Sequence, residues 1–216
     1  MLSHLQRPLH AAAALAAAAI LLTTATASNA GAVYDNLGSS QDGSDPLFSF
    51  GPLADSFTTG AAGSLGGVAV LLGSDSSSIV GDIQVGLYAD DGDAPGAELL
   101  SLGSLSSAAV STAGFNAYGF TSASPFQLAA DTTYWVEIVS ASPNALEWSW
   151  SNDLSALGVA GQSSYSAALG TSANSDFGPY QMAVQVSPVP ESSSISLALL
   201  GLAATAAAVR RRARAR

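Results

Sequence analysis

The chain contains no cysteine, and between Pro8 and Val209 it contains no lysine or arginine. No histidine follows His10. Without cysteine there is no disulfide bridge, no thiolate nucleophile and no cysteine-ligated metal. Without histidine or lysine, the middle of the chain cannot form a Ser-His-Asp triad, a phosphate-binding loop with its lysine, or a histidine-ligated zinc site. The composition therefore predicts a protein that is not an enzyme.

The charges are divided between the ends and the middle of the chain. All six basic residues are arginines at the two ends, whereas all 16 acidic residues lie between Pro8 and Val209, and the net charge is −10. Nucleic acid is excluded as a partner of this middle part, because phosphate binding relies on Lys and Arg. Divalent cations are the natural counter-charge for such a polyanion, and the simpler interpretation is a secreted surface of low pI.

Residues 1–30 have the pattern of a secretory signal peptide. His4, Arg7 and His10 form a weakly basic first region, residues 11–22 are apolar, and small residues follow. We expect cleavage after Ala27 or after Ala30, and therefore the Sec machinery and signal peptidase as partners. An uncleaved signal anchor is the alternative.

The last part of the chain, residues 188–216, has three consecutive features. A Pro-Val-Pro-Glu-Ser stretch leads into an apolar segment at 195–209, and an arginine cluster follows it: Arg210, Arg211, Arg212, Arg214 and Arg216. A helix of this length spans about 22 Å, somewhat less than the bilayer core of about 30 Å. Flanking residues extend it, and the arginines predict a cytoplasmic stop. We therefore expect a C-terminal transmembrane helix, and an ordinary tail anchor is the alternative.

This C-terminal arrangement resembles the PEP-CTERM sorting signal of Gram-negative bacteria. The resemblance is carried by the motif at 189–192, namely Val189, Pro190 and Glu191 followed by Ser192 where the family usually has proline, and by the helix and arginine cluster after it. It implies that an exosortase in the cytoplasmic membrane recognises the motif and releases the protein to the cell surface or the exopolysaccharide matrix. The membrane would then hold the chain either transiently or permanently.

Residues 31–187 are predicted to form one acidic domain of the all-β class. Short apolar segments alternate with Gly, Ser, Asp, Asn and Pro clusters, and the period of two in 83–88 and 134–139 is typical of half-exposed strands. The predicted strands are 55–59, 65–72, 83–88, 98–105, 117–121, 133–140, 146–150 and 180–187. Residues 156–174 are rich in Ser, Ala and Gly and are predicted to be a long loop. The pattern favours a β-sandwich, of which the jelly roll is one form.

The middle domain is also similar to the choice-of-anchor surface domains. The similar stretches are Tyr34-Asp35-Asn36, residues 53–60, Val85-Gly86-Leu87-Tyr88 with Pro95-Gly96 after it, and Leu128 with residues 132–136. This resemblance implies a β-rich surface domain that occurs with different C-terminal sorting signals, and it supplies no catalytic residues.

A calcium site is the first candidate for chemistry in the middle domain. Asp90, Asp91 and Asp93 lie with Gly92 in a short turn before Pro95. Calcium prefers clustered carboxylate and carbonyl oxygens, although the full EF-hand spacing is absent. The alternative is an Asp/Gly turn that is merely well solvated.

Two further candidates concern carbohydrate. Trp148 and Trp150 are two residues apart, so a strand places both on one face. Together with Trp135 they would form a sugar-stacking platform, and the alternative is that they pack in the core. Glu137 and Glu147 are the natural pair of carboxyl groups for a glycoside hydrolase, or they are two solvent-facing strand positions.

These observations lead to one expected function and two alternatives. We expect an exported, non-enzymatic protein of the cell surface or extracellular matrix, with exosortase and the membrane as partners and no certain cofactor. The first alternative is a carbohydrate-binding module of the exopolysaccharide matrix. The second is a carboxylate-dependent glycoside hydrolase.

Overall fold

The computed structural model describes residues 31–76, 81–140 and 142–188. These residues belong to one compact unit that ends at Pro188. The predicted signal peptide (1–30) and the sorting motif, apolar segment and arginine cluster (189–216) lie outside the described residues. Among the helices that are described, none has the length and apolar character needed to cross a membrane.

The described part of the chain is built from strands joined by short turns. The strands are β1 Gly31–Asp35, β2 Gly43–Pro46, β3 Leu53–Thr58, β4 Gly63–Ser74, β5 Asp82–Asp90, β6 Pro95–Ser106, β7 Asn116–Phe120, β8 Gln127–Leu128, β9 Thr133–Ser140, β10 Leu146–Trp150, β11 Ser163–Ser166, β12 Gly170–Ala173 and β13 Met182–Pro188. One helical turn, α1 (Leu47–Phe50), follows β2, and a 3₁₀ turn (Ser107–Ala109) follows β6.

The strands form two antiparallel sheets. The first sheet has the order β1-β13-β4-β10-β2, and β7 and β8 also pair with the long strand β4. The second sheet has the order β12-β11-β3-β9-β5-β6. Every strand pair is antiparallel. The predicted all-β class is therefore confirmed.

Apolar side chains of both sheets meet in one hydrophobic core. On β9, Tyr134, Val136 and Ile138 belong to this core, and the residues between them face the other way. Trp148 of β10 and Val184 of β13 contribute from the first sheet. This alternation of inward and outward side chains is the reason that period-two patterns in the sequence located strands correctly.

Each of the eight predicted strands overlaps an observed strand, but one predicted loop is wrong. Residues 156–174 contain the hairpin of β11 and β12, which pairs with β3 at the edge of the second sheet. Its residues are mostly Ser, Gly and Ala, which have low strand propensity. The hairpin forms because β3 supplies a backbone ladder and because Ser164 and Ser166 can be buried there.

Candidate functional site

The predicted sorting residues cannot be placed by this structure. Val189, Pro190, Glu191 and the arginines from Arg210 to Arg216 lie outside the described residues. What the structure does give is the point from which they continue. Strand β13 remains paired with β4 up to its last residue, Pro188, which lies opposite Gly63.

The Asp90–Asp93 segment is a tight hairpin turn between β5 and β6. The Asp91 N–H donates to the Ala94 carbonyl over 2.9 Å. Gly92 and Asp93 have φ values of 64° and 70°, which is the left-handed conformation that a two-residue type I′ turn requires at both positions. The turn therefore explains the Asp and Gly residues by backbone geometry.

The calcium site at Asp90, Asp91 and Asp93 stays a prediction. Asp90 accepts a hydrogen bond of 2.8 Å from the Trp135 indole N–H through Oδ1. Within residues 31–76, 81–140 and 142–188, no group of three or more His, Cys, Asp or Glu side chains is arranged to hold a metal ion.

Trp148 and Trp150 lie on one face of β10, as their spacing predicts, and that face is the interior. Trp148 is 0% exposed, stacks on Tyr180 with a ring distance of 4.7 Å, and donates its indole N–H to the Gln181 carbonyl over 3.0 Å. Trp150 packs against the core and against Phe177, at 5.5 Å between ring centroids. The predicted sugar-stacking platform is therefore wrong, because Trp148 has no ring face free for a ligand.

Glu137 and Glu147 do not form a pair. Glu137 is on β9 of the second sheet and Glu147 is on β10 of the first, and each side chain points away from the shared core. Packed sheets are about 10 Å apart, so two carboxyl groups on their opposite outer faces are farther apart than this. Glycoside hydrolases need about 5 to 9.5 Å. The predicted catalytic pair is therefore wrong.

Glu137 instead has Tyr88 and Glu98 as neighbours on the outer face of the second sheet. Glu137 lies opposite Gly86, and Tyr88 lies opposite Glu98. A Cβ atom on Gly86 would be 2.8 Å from the Tyr88 ring and 3.3 Å from Glu98 Oε1, so both side chains lean over the glycine. Tyr88, Glu98 and Glu137 are called the outer-face cluster below.

The titration of the outer-face cluster reflects burial and like charge. Glu137 is only 8% exposed, and burial raises its pKa. The Tyr88 hydroxyl, which is hydrogen-bonded to Glu137, lowers that pKa again, whereas the neighbouring Glu98 raises it. Burial and the two nearby carboxylates raise the pKa of Tyr88 to about 12. The cluster thus offers carboxylate acceptors and one phenol, and the part of the chain that the structure describes supplies no cation beside them.

Trp135 lies on the same face of the second sheet, beside Tyr88. It is paired with Tyr88 across β9 and β5, is 1% exposed, and is fixed by its bond to Asp90. Sequence analysis named Glu137 and Trp135 but missed Tyr88 and Glu98. The position of Tyr88 follows from the alternation in β5. The position of Glu98 depends on the β5–β6 register, which shifts at three points that no periodicity reveals.

A second acidic group lies on the first sheet. Glu147 accepts a hydrogen bond of 2.7 Å from the Ser44 hydroxyl. Burial raises the pKa of Glu147, and the nearby carboxyls of Asp75 and Asp45 raise it further.

Comparison with protein-family models, with curated proteins and with solved structures finds no match to this chain.

Proposed function

We propose that the chain is an exported, non-enzymatic protein of the bacterial cell surface or extracellular matrix, sorted through its C-terminal segment. The observation that carries the proposal is the distribution of charge. Fifteen acidic residues lie in residues 31–188, which contain no Lys, Arg or His, and every arginine lies in a terminal segment. Such a distribution suits a domain that crosses the membrane while the C-terminal arginines stay behind.

The full architecture in this proposal is a β-sandwich ectodomain, of which the jelly roll is one form, between a signal peptide and a membrane helix at 195–209. The described domain begins and ends on neighbouring strands, because Gly31 on β1 pairs with Val186 on β13. Sec and signal peptidase act on the N-terminal segment. Exosortase acts at Val189, Pro190 and Glu191, as the resemblance to PEP-CTERM proteins implies.

Intact-mass measurement of the protein from its native cells and their matrix tests this proposal. We expect a chain that begins after Ala27 or Ala30 and lacks everything after about residue 190. A variant with Pro190→Ala and Glu191→Ala is the matched control and should keep the arginine cluster and remain in the membrane fraction. Recovery of the wild-type chain from cytosol with both ends intact would refute export and sorting together.

Carbohydrate binding is a second candidate function, and the outer-face cluster is the observation that favours it. Carboxylates and a phenol can accept and donate hydrogen bonds to sugar hydroxyls, and the Tyr88 ring can stack on a sugar ring. In this second candidate function the sugar-binding residues are Tyr88, Glu98 and Glu137, and the buried Trp148 and Trp150 take no part.

A glycan array tests this second function. Tyr88→Phe and Glu98→Gln should each weaken the binding of any matrix glycan that gives a signal. Glu147→Gln, on the first sheet, is the matched control and should bind as the wild type does. An equal signal from all four proteins would remove the outer-face cluster as the binding site.

A further inference from the structure

Asp55 is a carboxyl group in the interior, where contacts from both sheets meet. It belongs to β3 of the second sheet and is 0% exposed. Its Oδ2 accepts a hydrogen bond of 2.7 Å from the Tyr180 N–H. Its Oδ1 accepts longer bonds from Asn174 Nδ2 at 3.3 Å and from the Tyr34 hydroxyl at 3.4 Å.

These partners belong to the segment that carries the chain from the second sheet to the first. Residues 174–181, here called the crossover, connect β12 to β13. Asn174 begins the crossover, and Tyr180 near its end stacks on Trp148. Asp55 therefore contacts both ends of the crossover and, through Tyr34, the first strand of the other sheet.

Among residues 31–76, 81–140 and 142–188, no positive charge faces Asp55. The titratable groups that face it are Tyr34 from β1 and Tyr180 before β13, and the Tyr180 hydroxyl in turn donates to Asp45 on β2 over 2.7 Å. Its own sheet supplies no cation, because residues 31–188 contain none. An ionised Asp55 would therefore depend on neutral donors, which is costly in a fully buried position.

We propose that Asp55 is a pH-sensitive latch that holds the crossover between the two sheets when it is protonated and loosens it when it ionises. In the protonated state Oδ2 still accepts from the Tyr180 N–H, and Oδ1 donates to the Tyr34 hydroxyl oxygen. In the ionised state the buried charge favours an opened crossover, in which water reaches the carboxylate. Because the crossover leads into β13, its opening weakens the strand that ends at Pro188.

The direction of the pH dependence follows from burial. Burial raises the pKa of Asp55 well above its usual range, and the hydrogen bonds from Asn174, Tyr180 and Tyr34 offset only part of this. An opened or unfolded Asp55 has a pKa of about 3.9. The latch is therefore fully closed below about pH 4, and its contribution is lost as the pH rises through the pKa of the folded state.

Amide hydrogen exchange of the full chain tests the latch. After correction for the intrinsic pH dependence of exchange, the opening constant of the Tyr180 amide should rise about tenfold or more between pH 4 and pH 8. A factor of about ten corresponds to a difference of one between the pKa of Asp55 in the closed state and in the opened state. Asp55→Asn, which cannot ionise, should abolish the pH dependence, and Asp131→Asn, an exposed position with φ of 47° that Asn tolerates, should keep it.

Two outcomes would overturn the proposal. One is an opening constant of the Tyr180 amide that does not change with pH in the wild type. The other is a pH dependence that survives in Asp55→Asn. If Asp55→Asn does not fold, the infrared band of a protonated carboxyl in the wild type, labelled at aspartate, decides the question. The band should persist above pH 5 for the latch, and its absence there would refute it.

Discussion

Asp55 in the interior and Glu137 on the outer face of the second sheet are both carboxyl groups without a cation, yet their surroundings differ. Asp55 accepts hydrogen bonds from Tyr34 on the first sheet and from Asn174 and Tyr180 in the crossover. Glu137 has the Tyr88 hydroxyl on one side and the like charge of Glu98 on the other. The difference indicates that Asp55 connects the second sheet to the crossover and to the first sheet, whereas the outer-face cluster joins neighbouring strands of the second sheet only.

Removing Asp55 should have the largest effect on stability. Asp55→Ala leaves the Tyr180 N–H, the Tyr34 hydroxyl and the Asn174 amide without their acceptor, and unsatisfied buried groups cost about 1–3 kcal/mol each. We expect a loss of about 3 kcal/mol or more in the free energy of unfolding, measured by urea denaturation. Asp82→Ala, at an exposed position, is the control and should stay within about 0.5 kcal/mol. Equal losses would contradict the connecting role of Asp55.

A methyl group in the crossover should have the next largest effect. A Cβ on Gly178 would lie 2.6 Å from the Ser151 carbonyl oxygen and 2.7 Å from the Trp150 ring. Gly178→Ala should therefore lower the free energy of unfolding by about 2 kcal/mol, as overpacking does elsewhere. Gly119→Ala, where a Cβ meets nothing within 4 Å, should be neutral or slightly stabilising. A neutral Gly178→Ala would show that the crossover is loosely packed.

Neutralising one carboxyl of the outer-face cluster should have the opposite sign. Glu98→Gln removes the repulsion of Glu137 and should raise stability at pH 7 by a few tenths of a kcal/mol, the scale of exposed charge pairs. Because Glu98 also raises the pKa of Tyr88, that pKa should fall below about 12 in the variant. Spectroscopic titration of the phenol measures this shift, and an unchanged Tyr88 would place Glu98 away from the cluster.

The smallest effect is expected from calcium at the β5–β6 turn. A variant with Asp91→Asn and Asp93→Asn should respond to millimolar calcium as the wild type does, because no group of three or more acidic side chains among the described residues is arranged to hold a metal ion. Melting temperature and titration calorimetry measure the response. A calcium-induced rise in melting temperature that disappears only in this variant would restore the calcium site.

The strands and the site differ in how far they can be predicted from sequence. Period-two alternation located β5 and β9, because one side of each strand is buried and the apolar residues mark that side. The β11–β12 hairpin was missed because its stability comes from the backbone ladder with β3 rather than from its own side chains. Local sequence carries no information about such a tertiary contribution.

The candidate residues show the same limit. The spacing of Trp148 and Trp150 predicts a shared face correctly, but whether that face is inside or outside depends on which sheet covers it. The pairing of Glu137 with Glu147 failed because neighbouring strands in sequence belong to different sheets. Asp55 resembles any other polar residue in an alternating strand, and its contacts come from residues more than 100 positions away as well as from Tyr34.

The pH dependence of the free energy of unfolding tests most directly the claim that this domain carries carboxyl groups without compensating cations. Burial raises the pKa of four carboxyl groups, namely Asp45, Asp55, Glu137 and Glu147. At the exposed Asp153, hydrogen bonds from Ser155 and Ser39 lower the pKa. Groups with a raised pKa stabilise the fold in acid and lose that contribution as the pH rises. Urea denaturation of the full chain should therefore give a free energy of unfolding that increases as the pH falls from 8 to about 4.5. A free energy that decreases over this range would contradict the account.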